Sequence, residues 1–308
     1  MPVGLMVGPE RGRYATKVDR MRADAKWAED AGLASVWIPQ VPDDFDALTA
    51  VALVAEATDS IEIGTAVVPV QPRHPIALAQ QALTAHLATG GRLTLGIGLS
   101  HKPTVENAFG ASFERPARHM REYLAALLPL LRGEAAEVAG ESVRARGQLG
   151  ISSETPPPVL LAALAPRMLR LAGSQADGTI TWMAGPKTVR AHIAPLLNEA
   201  AAAAGRPRPR LVVGLPVGVT DDVAGDRERL SRGLSRYGTL PSYRAMLDKE
   251  GVADPADVAV LGDEASVREQ LEELAAAGAT DLMATEVGSR ENRPRTRALL
   301  RELVEAPV

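Results

Sequence analysis

Residues 61–98 read IEIGTAVVPVQPRHPIALAQQALTAHLATGGRLTLGIG. The stretch opens on a run rich in β-branched residues, Ile61–Val68, which suits a strand. Pro75–Leu87 follows as a helix, with proline at a first helical position where its missing N–H costs nothing. Arg92–Ile97 is a second apolar run, again a strand. Strand, helix and strand in so short a span make one βαβ unit, whose strands lie parallel.

The same alternation extends outward in both directions. Upstream, Val3–Val7 and Ser35–Ile38 read as strands, and Lys17–Ala31 and Phe45–Ala57 as helices, the first capped by Thr16 and stopped by Gly32. Downstream, helices are expected over Pro116–Leu131, Pro166–Ala172, Lys187–Ala204, Ala265–Ala277 and Arg295–Val304. Strands are expected over Val159–Ala163, Thr179–Trp182, Leu211–Val219 and Asp281–Thr285. Eight strand signals alternating with helices argue for an α/β protein. With no break in composition, one (β/α)8 TIM barrel over residues 1–308 is expected, and a doubly wound open sheet is the alternative. Two segments interrupt the rhythm. Residues 134–158 are polar and end in Pro156-Pro157-Pro158, which reads as an inserted hairpin, and residues 221–251 form a charged, mostly helical excursion.

The chain of 308 residues is long enough to bury a core without staples. Aromatics are only 3%, so aliphatic side chains must fill that core, and each Trp stands out. A net charge of -4 does not suit a nucleic-acid binder, which needs a basic face. The one Arg cluster, Arg206, Arg208 and Arg210, reads as a solvated loop between a helix and a strand. The absence of cysteine excludes thiol nucleophiles, disulfides and Cys-ligated metals. Met1-Pro2-Val3 runs directly into a strand without the pattern of a leader, and no apolar run reaches the length of a membrane span. A cytoplasmic protein with a small-molecule substrate and neither membrane nor nucleic-acid partner is expected.

Several motifs fail. Gly96-Ile97-Gly98 begins like a dinucleotide fingerprint, but the third glycine is missing and Pro103 follows soon after. His74 and His86 sit at opposite ends of one helical segment, too far apart for a metal pair, and no metal site is expected. Lys187 lies beyond Gly185-Pro186 at a helix start, not on a strand where a Schiff-base lysine would be desolvated. In a barrel, function sits at the carboxyl ends of the strands, which here selects the loops 39–44, 67–74, 98–106, 164–166 and 183–187.

Two segments go beyond periodicity. Ile63-Gly64-Thr65-Ala66-Val67-Val68-Pro69 is followed by Pro72-Arg73-His74-Pro75 and Leu78-Ala79-Gln80, and Gly90-Gly91-Arg92-Leu93-Thr94-Leu95-Gly96-Ile97-Gly98 comes after them. With Ala176-Asp177-Gly178 and Gly185-Pro186, these resemble the hallmark region of the luciferase-like superfamily, and most closely its deazaflavin (coenzyme F420)-dependent oxidoreductase branch. The resemblance runs from the first strand to Asp281. It implies an insertion-decorated (β/α)8 barrel, often a homodimer, with the cofactor across the carboxyl ends of the strands. It also implies a non-proline cis peptide at Ala66-Val67 or next to it. Ala66, Val67, Val68, Gly98, Leu99, Ser100 and Thr104 would contact the cofactor, and backbone amides of Leu164, Ala165 and the Pro166 turn would hold its phosphate.

This sequence departs from the pattern at two places. Related sugar-phosphate dehydrogenases carry an Asp-His pair after the second strand, where this chain has Pro39-Gln40, and a carboxylate after the fourth, where it has His101. His101 is therefore the first candidate for a catalytic acid, on the ground that imidazole titrates near neutrality, and Gln40 can contribute hydrogen bonds. Trp37 and Trp182 are candidates for the substrate pocket or for the core, and Lys187 matches a position that contacts substrate phosphate in some relatives. His74 is expected to fix its loop, His86 to be a surface or packing residue, and His119 with Tyr123 to be a surface or interface pair. Glu106 could carry a proton or cap a turn. The expected activity is hydride transfer between the C5 of F420 and a small organic substrate. The alternatives are an FMN-dependent monooxygenase served by a partner reductase, and a barrel that binds deazaflavin or flavin without efficient chemistry.

Overall fold

The computed structural model of the chain describes residues 1–9 and 16–305. Eight parallel strands close on themselves: β1 (Val3–Met6), β2 (Ser35–Ile38), β3 (Glu62–Thr65), β4 (Leu93–Gly98), β5 (Val159–Ala162), β6 (Gly178–Trp182), β7 (Arg210–Val219) and β8 (Asp281–Glu286). Each pairs with the next in chain order. The ring shuts where β1 meets β8, with Val3 opposite Leu282. Closure excludes the open doubly wound sheet and makes this a (β/α)8 barrel.

The outer layer comprises α1 (Lys17–Asp30), α2 (Ala47–Ala55), α3 (Pro75–Ala88), α4 (Pro116–Leu131), α5 (Pro166–Gln175), α6 (Ala194–Ala203), α7 (Val223–Thr239), α8 (Pro241–Glu250), α9 (Glu264–Ala276) and α10 (Arg293–Glu305). Side-chain caps fix several starts. Asp46 accepts from Thr49 N at 2.9 Å, so α2 begins at Ala47 instead of Phe45. Asp263 accepts from Ser266 N at 2.8 Å ahead of α9. Residues 134–158 hold an antiparallel hairpin, Ala136–Ala139 with Arg144–Gly147. His74 ties that hairpin to the barrel, its Nε2 lying 2.8 Å from Arg144 O while it caps α3. Residues 221–251 fold as α7 and α8, broken at Leu240-Pro241. A short strand that periodicity did not reveal, Val260–Gly262, runs parallel beside the end of β7.

Alternation along each strand divides the apolar residues into two layers. Val36 and Ile38, Leu161, Val213, Leu282 and Ala284 face the helices. Their neighbours Trp37, Leu160, Ile180, Val212 and Met283 meet in a separate cluster that fills the barrel. Trp37, a candidate for the substrate pocket, is fully buried there, and its indole N–H donates to Ser35 Oγ at 2.8 Å. A Cβ on Gly64 would come 2.2 Å from the Trp37 ring, so glycine on the adjacent strand makes room for it.

Two further readings change, and a third is narrowed. Arg210 is no solvated loop residue: it opens β7 beneath Trp37 and pairs with Asp281 Oδ1 at 2.6 Å and Glu62 Oε1 at 3.0 Å, joining β7, β8 and β3. Tyr123 is no surface residue: it is buried and its hydroxyl donates to Arg73 O at 3.0 Å. His86 is a packing residue, buried, with Nε2 at 2.8 Å from Thr155 O.

Candidate active site

At the carboxyl ends of the strands the barrel filling changes character. Met6, Ala66, Val67, Ala162 and Trp182 pack on the interior cluster but stay partly exposed. They come from β1, the end of β3, β5 and β6, and form an apolar floor across the mouth. The Ala66–Val67 peptide is cis, at the position the resemblance implied; β3 stops at Thr65, and pairing to β4 resumes at Val68 opposite Ile97. β4 must come close to this segment. A Cβ at Gly96 would lie 1.9 Å from Thr65 O, and one at Gly98 2.7 Å from Val67 Cγ2. The Gly-x-Gly that imitates a dinucleotide motif thus serves packing under the floor. Thr65 adds two bonds across the same seam, donating to Gly96 O at 2.8 Å and accepting from Gly96 N at 2.9 Å.

The backbone is strained on either side of the floor. Ser100 after β4 and Met183 after β6 both have φ of 58°, a left-handed conformation that non-glycine residues seldom adopt. Such residues cluster at functional sites. His101 follows Ser100 and is partly exposed. Its ring meets Tyr243 of α8 edge-on at 5.7 Å, Tyr243 meets Tyr237 of α7 at 4.8 Å, and Tyr237 meets Trp182 at 6.4 Å. In a chain so poor in aromatics, four rings in one row above the mouth are a concentrated feature. The excursion at 221–251 therefore supplies a roof that runs from the end of β4 to the end of β6.

Electrostatics around His101 differ from what its residue type suggests. Burial, and then the charge of Arg236, hold its pKa below the ordinary 6.5, so the ring is neutral at neutral pH. A near-neutral pKa therefore does not support it as a protonated acid, although a neutral imidazole still offers one donor and one acceptor. Burial raises the pKa of the Tyr243 hydroxyl, keeping it a protonated donor, and it bonds to no acceptor among the described residues. Two buried polar atoms on the loops and strand ends of this end of the barrel also have no partner among the described residues, Trp182 Nε1 at the end of β6 and Gln71 Oε1 beyond the cis segment.

The other predicted residues divide. Gln40 is occupied: with its oxygen turned to Arg73 the amide lies 3.1 Å from Nη1, and Arg73 pairs with Asp46. Val68 is fully buried in the helix-facing layer, so its side chain is not available to a cofactor. Leu99 and Ser100 are partly exposed, whereas Thr104 is buried and its hydroxyl lies 3.4 Å from Arg236 Nη2. Lys187 is exposed and stands outside the row of rings. Leu164 and Ala165 precede α5, with Leu164 O bonded to His192 Nε2 at 2.9 Å.

Two helix starts face this end of the barrel, and they are not equivalent. After β6 the amides of Lys187 and Thr188 donate to Glu250 at 3.1 and 2.8 Å, so a buried carboxylate from α8 already fills that position. After β5 the turn into α5 has no side-chain cap and no acidic residue. The amides of Leu164, Ala165 and Arg167 reach no acceptor among the described residues. That start remains open to an anion.

Residues 1–281 match the luciferase-like monooxygenase family. The chain belongs to that family. Among its relatives is 5,10-methylenetetrahydromethanopterin reductase of Methanolobus tindarius, 27% identical over 77% of this chain and 72% of the relative. A Mycobacterium tuberculosis protein, to which coenzyme F420 dependence is assigned provisionally by name, is 27% identical over 94% of this chain and 97% of its own. The solved coenzyme F420 dependent tetrahydromethanopterin reductase of Methanopyrus kandleri superposes with a TM-score of 0.81 and 22% identity, over 99% of this chain and 97% of that one. The luciferase-like fold is thus shared end to end, and the chain is an enzyme of this superfamily.

Reading residues one at a time did not find Tyr237, Tyr243, Arg236, Gln71 or Glu250. The scarcity of aromatics was the one available signal, since two of the four tyrosines, Tyr237 and Tyr243, lie in the excursion.

Proposed function

We propose that the protein is an F420-dependent oxidoreductase moving a hydride between the deazaflavin C5 and a small organic substrate. The observation that carries this reading is the pairing of an apolar, partly exposed floor with an uncapped helix start beside it. A flat ring system linked to a phosphate needs both. Met6, Ala66, Val67 and Ala162 would lie against the ring, and the amides of Leu164, Ala165 and Arg167 would take the phosphate. The relatives that carry F420 in their names support the same cofactor. Once bound, F420 supplies or accepts a hydride at C5. The floor and the aromatic row then orient the substrate and exclude water. His101 offers a hydrogen bond from a neutral ring, and any proton required comes through it or from solvent.

The test is a fluorescence titration of the purified protein with F420 and, in parallel, with FMN. Tight binding of F420 alone is the expected result. A preference for FMN would replace this reading with an FMN-dependent monooxygenase, and binding of neither would defeat both. Replacing Ala165 by Asp places a carboxylate at the open helix start, where it competes for the amides and repels a phosphate. F420 binding is expected to weaken roughly fivefold, as about 1 kcal/mol of capping and dipole energy implies. His101→Ala is expected to leave F420 affinity within about twofold and to lower turnover, and unchanged turnover would remove His101 from the reaction.

A further inference from the structure

We propose that the substrate of this site is an uncharged, flat ring compound bearing a carbonyl-type acceptor, held beneath the row Trp182–Tyr237–Tyr243–His101. The inference deepens the reading above and rests on it for the identity of the cofactor.

The row presents ring edges and faces from two sources, the ends of β4 and β6 and the two roof helices. Flat rings gain from such surroundings through stacking and edge-on contacts. Trp182 Nε1 is cut off from solvent and has no acceptor among the described residues. Buried N–H groups are nearly always paired, so an acceptor brought by the ligand completes the site. The Tyr243 hydroxyl, kept protonated by burial, is a second donor without a partner among the described residues.

Charge points the same way. A phosphorylated substrate needs an anion position beside the mouth, and the helix start after β6 is taken by Glu250, whose carboxylate also repels a second anion. Lys187 stands exposed beyond that cap. Arg236 is exposed, with Nη2 3.4 Å from Thr104 Oγ1, and its charge is felt at the His101 end of the row, where it comes second to burial in lowering the ring's pKa. His101 is neutral at neutral pH. Apart from the exposed Arg236 at its His101 end, the groups that face the row are therefore apolar surfaces and neutral donors.

Calorimetry on the F420-loaded protein and on the cofactor-free protein tests this with four probes: 2-acetylnaphthalene, naphthalene, 2-naphthoate and glucose 6-phosphate. 2-Acetylnaphthalene is expected to bind at least tenfold more tightly than 2-naphthoate, and glucose 6-phosphate not to bind detectably. Trp182→Phe keeps a ring and removes the N–H; it should weaken 2-acetylnaphthalene about fivefold or more and leave naphthalene within twofold. Tyr237→Ala should weaken both ring compounds. Equal or tighter binding of 2-naphthoate or glucose 6-phosphate would overturn the proposal, as would both variants binding 2-acetylnaphthalene like the parent. F420 titration of each variant reports an intact barrel. Loss of F420 binding with the ring preference intact would defeat the cofactor reading alone, and the reverse would defeat the substrate class alone.

Discussion

At His101 two neighbours set the protonation state, and both push it the same way. Burial is the larger and Arg236 the smaller. Arg236→Gln should therefore raise the His101 pKa without bringing it past the ordinary 6.5, as read from the imidazole C–H shifts in a proton NMR titration. The sign for stability follows: below pH 6.5 the unfolded chain binds a proton that the folded ring resists, so this group makes the fold less stable as the solution is acidified. Glu29 shifts stability in the same direction with pH, but through hydrogen bonding instead of burial. Burial raises its pKa, but hydrogen bonds from the amides of Ser60, Ile61 and Asp59 outweigh it and bring the value to about 2. The ionised carboxylate thus stabilises the turn into β3 fully above the ordinary value of 4.5, and that contribution fades as pH falls toward 2. Glu29→Gln should cost about 1–3 kcal/mol at pH 7 by denaturant melts, with a smaller difference from the parent at pH 3. At this scale the sequence was only partly legible. The loop position of His101 singled it out, but the depressed pKa comes from α7 and α8, far away along the chain. Trp37 was ambiguous because a strand as short as β2 shows too little alternation to tell inside from outside.

At the scale of elements, the seam between β3 and β4 is the tightest part of the construction. A methyl group at Gly96 meets a backbone oxygen, which cannot swing aside. Gly96→Ala should therefore cost several kcal/mol, as overpacking against rigid neighbours does, or prevent the barrel from closing. Gly98→Ala meets the Val67 side chain and Ala162 Cβ but no backbone atom, and should fold, with a loss of F420 affinity as the floor is displaced. Thermal melts separate the two, and equal melting points for both variants would contradict the seam. Strands β1 to β8 and most helices were readable, because period and punctuation are local signals. The strand Val260–Gly262 was not, since three residues carry no period. The role of α7 and α8 was hidden for another reason: their charged surface reads as solvated, and only the fold brings Tyr237 and Tyr243 to Trp182 and His101.

For the molecule as a whole, the two ends of the barrel are built for different purposes. The amino-terminal end is closed by Arg210 between Asp281 and Glu62, beneath the Trp37 ring. Arg210→Met removes the cation and leaves two carboxylates facing each other, and a loss of about 1–3 kcal/mol is expected at pH 7 by chemical denaturation. F420 binding should be unchanged, since the pair lies at the far end from the mouth. The carboxyl-terminal end is where the layered filling gives way to exposed apolar atoms, unpaired donors and left-handed residues. The family resemblance covered the first of these features through its motifs, while the roof is written in residues that the motifs do not include.

The Glu250 carboxylate has a consequence for traffic. It belongs to the roof yet is anchored in the wall, and Thr188 Oγ1 adds a third tether at 3.1 Å to Met246 O. Peeling α8 away would forfeit two charge-assisted bonds, at least about 3 kcal/mol together, which leaves a raised roof in well under a tenth of molecules. The roof behaves as a fixed lintel, and molecules entering the doorway must turn in beneath it from the side.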